Sequence, residues 1–119
     1  MSGNTIKIKS FDFALRIVKL YQFLRTEKKE FVLSKQLLRS GTSIGALVRE
    51  SEHAESKLDF IHKLAIAQKE ANESDYWLEL LFRSEYLKES QYESLNRDII
   101  ELKKIIASII ISTKNNLKK

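Results

Sequence analysis

The chain has 119 residues, 43% of them apolar, with no Pro, no Cys and only three Gly. That length suits one domain, and the scarcity of Pro and Gly argues against a strand-and-turn architecture. The absence of Cys excludes disulfides, thiolate metal sites and a Cys nucleophile, while the net charge of +5 points to anionic partners.

The first helix is predicted over Phe11 to Arg25. Ser10 is its expected N-cap, and Asp12 faces the positive end of the dipole. Phe13, Ile17, Leu20 and Leu24 recur at alternating spacings of four and three, which places them on one face. Ala14 and Tyr21 widen that stripe. Polar residues Thr26 to Glu30 then form a short connection.

The second helix is predicted over Leu33 to Glu50, with Leu33, Leu37, Ser40, Ile44 and Leu47 along its seam. Gly41 and Gly45 lie one turn apart beside it. Each costs about 1 kcal/mol of helix propensity relative to Ala, which points to the close approach of a neighbouring backbone or, as the alternative, to a kink. Ser51 to Ser56 contains the next turn, and Ser56 with Asp59 resembles a capping box.

The third helix is predicted from Lys57 to Leu87, with a break near Ser84. Phe60, Leu64, Ala67, Ala71, Ser74, Leu78 and Leu81 form a large–small–large seam that predicts a tight crossing. Trp77 lies on its flank, a core or interface residue by its spacing. Ser90-Gln91-Tyr92-Glu93 has the capping-box pattern and opens the fourth helix. Its seam is Tyr92, Leu95, Ile99, Leu102, Ile106 and Ile109, broadened by Ile105, Ile110 and Ile111. Four helices joined by short polar links predict an all-α, antiparallel up-down four-helix bundle as a single domain over residues 1–119. Its ordered core is expected at about residues 10–112, with a basic tail at each end, and the tail from Thr113 to Lys119 is expected to fray.

No apolar run of signal-peptide kind occurs in residues 1–10. The most apolar stretch, Ile105 to Ile111, is far short of the roughly 20 residues a membrane span needs. The expectation is a cytoplasmic protein without a membrane partner.

The charges are unevenly placed. Residues 10–49 carry eight bases and three acids, whereas residues 50–111 carry eight bases and thirteen acids. A basic front half and an acidic back half attract either an anionic ligand or a second copy of the chain. With Leu37 and Ile44 as core positions of a heptad, Lys35 and Arg49 point fully outward and Arg39 lies beside them. Arg16 and Lys19 point away from the first helix's stripe. These five, Arg16, Lys19, Lys35, Arg39 and Arg49, are the candidate phosphate contacts for nucleic acid.

No catalytic set stands out. Ser residues lack a nucleophile-elbow context, and no Gly-rich phosphate loop exists. Glu50-Ser51-Glu52-His53 and Asp59-Phe60-Ile61-His62 each pair a carboxylate with a His. Both flank one turn, whereas a di-metal bundle site needs them on two inward faces. Neither enzyme activity, metal nor cofactor is expected.

Gln36-Leu37-Leu38-Arg39-Ser40, Ser43-Ile44, Glu50, Ile66-Ala67 and Glu73 together resemble the bacterial four-helix-bundle family associated with intervening sequences in 23S ribosomal RNA genes. The accessory variability protein of diversity-generating retroelements belongs to the same group. The likeness runs from about Phe11 to Ile110. It implies a homo-oligomeric ring, often a pentamer, and association with RNA or other nucleic acid or with a protein partner. Many relatives have Ser-Ile-x-x-Asn-Ile-Ala-Glu-Gly where this chain has Ser43 to Ser51. Asn is replaced by Leu47, Ala by Arg49 and Gly by Ser51, and a Gly-Ser pair of the third helix is replaced by Lys69-Glu70. The rival expectation is a protein-interaction scaffold that forms a ring without nucleic acid.

Overall fold

Apolar stripes at 3–4 spacing leave each helix with one face that only another helix can cover. The computed structural model describes residues 2–118, with side chains from Thr5 onward. Four helices run through it: α1 (Ser2–Thr26), α2 (Leu33–Ser51), α3 (Lys57–Arg83) and α4 (Glu89–Leu117). They form an up-down bundle of 52 × 22 × 20 Å. α1 packs on α2 and α4, and α3 packs on the same two helices, so the order around the bundle is α1–α2–α3–α4. The α1–α4 seam is the loosest of the four.

The core is the predicted stripes brought together. Phe13, Ile17 and Leu24 of α1 meet Leu37, Ile44 and Val48 of α2, with Leu64, Leu78 and Leu81 of α3 and Ile99, Leu102 and Ile106 of α4. Small residues set the spacing between helices. Gly45 lies so close to α1 that a Cβ there would sit 3.3 Å from the Ser10 carbonyl oxygen. On the other side of α2, the hydroxyls of Ser40 and Ser74 meet at 2.9 Å, both fully buried beside Ala67 and Ala71. The Glu70 carbonyl lies 2.9 Å from Ser74 Oγ, so the buried hydroxyls have partners.

Several expectations need correction. α1 begins at Ser2, not Phe11. Its stripe continues backward through Ser10 to Ile6, and both are buried, so Ser10 is a core residue whose hydroxyl bonds the Lys7 carbonyl at 3.3 Å instead of capping. α4 starts at Glu89, one residue before Ser90, and its first turn is closed by the Lys88 N–H donating to Gln91 Oε1 at 2.8 Å. Its last turn runs through the expected frayed tail to Leu117. In α2 the buried seam falls one residue later at both ends, on Ser34 in place of Leu33 and on Val48 in place of Leu47, and in α4 it does so at one position, on Ile110 in place of Ile109.

The turns follow local chemistry. α3 opens as expected, with the Asp59 N–H donating to Ser56 Oγ at 3.0 Å. It ends at the foreseen break: Glu85 takes φ 69°, its N–H bonds the Phe82 carbonyl and the Tyr86 N–H bonds the Leu81 carbonyl. That is a Schellman closure with a non-Gly residue in the left-handed position.

The α1–α2 turn depends on Glu30. Its carboxylate accepts the backbone N–H groups of Val32, Leu33 and Ser34 at 3.1, 3.0 and 2.7 Å, the donors that the first turn of α2 leaves open. Burial by itself raises the Glu30 pKa, but these hydrogen bonds together outweigh it and hold the group below its ordinary value.

Two outcomes follow for stability. A lowered folded-state pKa means that Glu30 stabilises the fold above the unfolded value of about 4.3, and that this contribution is lost as pH falls through the folded value. Glu30→Gln should therefore cost about 1–2 kcal/mol near neutral pH, with the gap to wild type closing toward pH 3, in urea melts across that range. Gly41→Ala gains about 1 kcal/mol of helix propensity. Its Cβ would nevertheless lie 2.9 Å from Cγ1 of Ile17, a fully buried side chain that would have to shift within the core. A net loss of about 1–2 kcal/mol is expected in the same melts.

Candidate functional site

The five candidate cations sit on α1 and α2, and their partners divide them into two groups. Arg16 spans the α1–α4 seam. Its guanidinium bonds Asp98 Oδ2 at 2.6 Å and the Ser94 hydroxyl at 2.8 Å. Arg39 spans the α2–α3 seam, on the opposite edge of the bundle. It bonds Glu70 Oε1 at 3.2 Å and, more closely, Glu73, whose carboxylate also accepts the indole N–H of Trp77 at 3.2 Å. The Glu73 hydrogen bond raises the Arg39 pKa above its ordinary value, and the same bond lowers that of Glu73. Both arginines thus tie helices together.

Lys19, Lys35 and Arg49 are exposed, and no carboxylate among the described residues lies within ion-pair distance of them. Arg49 instead places its guanidinium 5.0 Å from the centre of the Phe11 ring. Lys19 borders a hollow of about 380 Å³ in the α1–α4 seam, shared with Arg16, Leu20, Phe23, Gln91 and Leu95. Lys19, Lys35 and Arg49 face solvent while Arg16 and Arg39 lie across seams on opposite edges, so the five do not form one stripe.

The front-to-back charge division is partly answered inside the molecule. Lys9 with Glu101 and Arg16 with Asp98 join α1 to α4, and Arg39 with Glu70 and Glu73 joins α2 to α3. Lys7, placed in a basic tail by sequence, reaches Glu52 at 3.4 Å.

An apolar feature was not foreseen. Ile8, Phe11, Leu15 and Val18 follow one another at spacings of three, four and three on the outward face of α1, with exposures of 61, 46, 48 and 37%. This is the heptad spacing of a helix-pairing seam. The signal lay in the sequence, but the stripe at Phe13, Ile17, Leu20 and Leu24 drew attention to the core face, and Ile8 lay in a segment read as a tail. Trp77 is half-buried against the core, edge-on to Tyr76 at 5.0 Å.

His53 and His62 are exposed, and no group of three or more His, Asp or Glu placed to hold a metal occurs among the described residues. Nor is any helix there long and apolar enough to cross a membrane.

The model of the 23S rRNA-intervening sequence protein family matches residues 4–108. The chain belongs to that family. It is also similar to a crystal structure from Bacteroides thetaiotaomicron VPI-5482, a protein with unknown function from the S23 ribosomal protein family. The two are 62% identical over 92% of this chain and 98% of that one, with a TM-score of 0.92. A search of curated proteins gives no match.

Within this intervening-sequence bundle, the positions that depart from the family pattern each have a local partner or place. Leu47 is half-buried against the core, Arg49 lies over Phe11, and the buried Ser51 donates its hydroxyl to the Val48 carbonyl at 2.6 Å. Glu70 receives Arg39, and Lys69 is exposed.

Arg39 is accordingly a stability residue as well as a candidate contact. Arg39→Glu would put a third carboxylate beside Glu70 and Glu73. It should lower the unfolding free energy by about 2–3 kcal/mol and shift Trp77 fluorescence. Lys35→Glu should stay within about 0.5 kcal/mol of wild type. Urea melts followed by Trp77 emission check both.

Proposed function

We propose that this family member is a non-enzymatic bundle that self-associates and binds nucleic acid through phosphate contacts. The exposed α1 stripe carries the reading. A monomer that leaves Ile8, Phe11, Leu15 and Val18 in water exposes one continuous apolar strip, the kind of surface that marks an association site. The strip is edged by cations with no carboxylate partner: Lys19 follows Val18, and Arg49 lies over Phe11. A contact between this face and a different face of the next copy is heterologous, and it closes into a ring when the rotation allows. Five copies is the number that the family likeness suggests.

Assembly repeats Lys19, Lys35 and Arg49 around the particle. Repetition turns three weak, solvated contacts per copy into a polyvalent one. The family's description, with its reference to 23S rRNA, makes RNA the first nucleic acid to test. Binding is to phosphate, without base readout by these residues, and so should weaken steeply with salt.

The rival reading, a ring scaffold without nucleic acid, is favoured by the saturation of Arg16 and Arg39 with carboxylates. Light scattering near physiological salt, with and without a structured RNA, separates the two. A multimer mass that rises with RNA is the expected result, and a multimer indifferent to RNA supports the scaffold. Leu15→Glu should yield monomers with unchanged helicity. Lys19→Gln with Lys35→Gln should keep the multimer and flatten the salt dependence of RNA binding, by roughly one unit of log–log slope per lost contact. A monomeric wild type would overturn the assembly.

A further inference from the structure

The turn between α1 and α2 carries chemistry that neither the core nor the α1 stripe uses. Tyr21, Gln22, Arg25, Thr26, Lys29 and Phe31 line a hollow of about 310 Å³. The Arg25 guanidinium stands 5.5 Å from the centre of the Tyr21 ring and 5.7 Å from that of Phe31, and donates to Tyr21 Oη at 3.1 Å. Phe31 is 47% exposed and Val32 is 70% exposed, so an aromatic face and an aliphatic neighbour meet solvent beside the cation.

The electrostatics of the corner come from Glu30. Its carboxylate is turned inward to the amides of Val32, Leu33 and Ser34, which removes its charge from the surface. Glu27 is exposed but stands among Arg25, Lys28 and Lys29, so cations are in excess. No carboxylate among the described residues reaches ion-pair distance of those three. Lys29 takes φ 55°, held by the Glu30 N–H donating to the Leu24 carbonyl at 2.9 Å, and its side chain borders the hollow.

We propose that this corner binds an unpaired nucleotide of a single strand. The base stacks on Phe31, and Arg25 and Lys29 neutralise the flanking phosphates. A flat aromatic face beside cations that no carboxylate neutralises, at the mouth of a hollow, is the arrangement by which proteins hold splayed bases without reading their identity. A bare anion would have no use for the exposed ring. The inference rests on the nucleic-acid reading above and adds to it a second contact type, one that senses the base. It also places the contact outside the five cations expected from sequence.

The test is fluorescence anisotropy with three labelled strands of about 12 nucleotides, long enough to span one binding site: oligouridine, oligothymidine and an abasic strand of the same backbone. The full-length protein is used near physiological salt. Wild type should bind the two base-bearing strands about tenfold more tightly than the abasic one. Phe31→Ala should remove that preference while leaving abasic binding and the urea midpoint unchanged, and Phe31→Trp should restore it. Tighter binding of oligouridine identifies RNA as the source of the nucleotide, and tighter binding of oligothymidine identifies DNA. A preference that survives Phe31→Ala overturns the site. Equal binding of base-bearing and abasic strands overturns it too, while leaving phosphate binding by Lys19 and Lys35 intact. No binding of any strand overturns both readings.

Discussion

Gly41 and Gly45 leave no slack between α1 and α2. Ile17 fills the space where a Gly41 methyl group would stand, and the Ser10 backbone comes within tight contact distance of a Cβ at Gly45. Two contacts one turn apart fix both the register and the rotation of α1. Once Ser10 and Ile17 face α2, the 100° step of the helix decides the rest. Ile8, Phe11, Leu15 and Val18 must face away, and Arg16 must lie toward α4. The other side of α2 is held as closely by the Ser40–Ser74 contact. That contact sets α3 where Glu70 and Glu73 meet Arg39. Small residues thus assign the roles of the large and charged ones. A glycine costs helix propensity wherever it stands, and here the return is a defined outward face.

Charge acts in this bundle mainly across seams. Arg16 and Arg39 sit on opposite edges, each bonding more than one acceptor on the facing helix. Exposed ion pairs usually add little to stability, but several acceptors on one guanidinium hold a helix in register better than a lone pair does. The Arg39 cluster also takes in Trp77, so its carboxylate is held from two sides. The same arithmetic of charge along the sequence therefore has two consequences. Part of it holds the helices together, and another part, including Lys19, Lys35, Arg49 and the Arg25 corner, has no carboxylate partner among the described residues. A count of basic residues does not distinguish these. Only the position of acids on the facing helix does.

The sequence made the bundle legible because periodicity is local and repeated. The seams of α3 and α4 were read almost residue for residue, and the α3 cap and its break at Ser84 were placed correctly. What failed were signals that compete. Ser10 satisfied the rules for an N-cap, yet it is also a small residue on a core stripe, and the stripe won because Ile6 lies one turn further back. Ser90 with Glu93 had the capping-box pattern, yet Lys88 and Gln91 closed the turn two residues earlier. Glu30 looked like one more polar loop residue, although its carboxylate organises the start of α2. Of the candidate site, outward direction was legible from the heptad positions. Which cations have partners was not, because a partner's helix and register are tertiary facts. The second α1 stripe was visible as spacing, but choosing between two apolar faces requires knowing which one Gly41 and Gly45 press against.

These constraints give one helix several distinct faces. α1 offers α2 a close-packed face through Ser10 and Ile17, offers α4 the reach of Arg16, offers solvent an apolar strip, and ends in the Arg25 corner. The strip lies along the length of α1 and the corner lies at its C-terminal end, so a neighbour seated on the strip need not cover the corner. On the proposed reading, association and strand binding differ in salt sensitivity. The strip is mostly apolar and gains little from low salt, whereas phosphate contacts weaken steeply as salt rises. On that reading the assembled form persists over a range of ionic strength in which the hold on a nucleic acid changes by orders of magnitude.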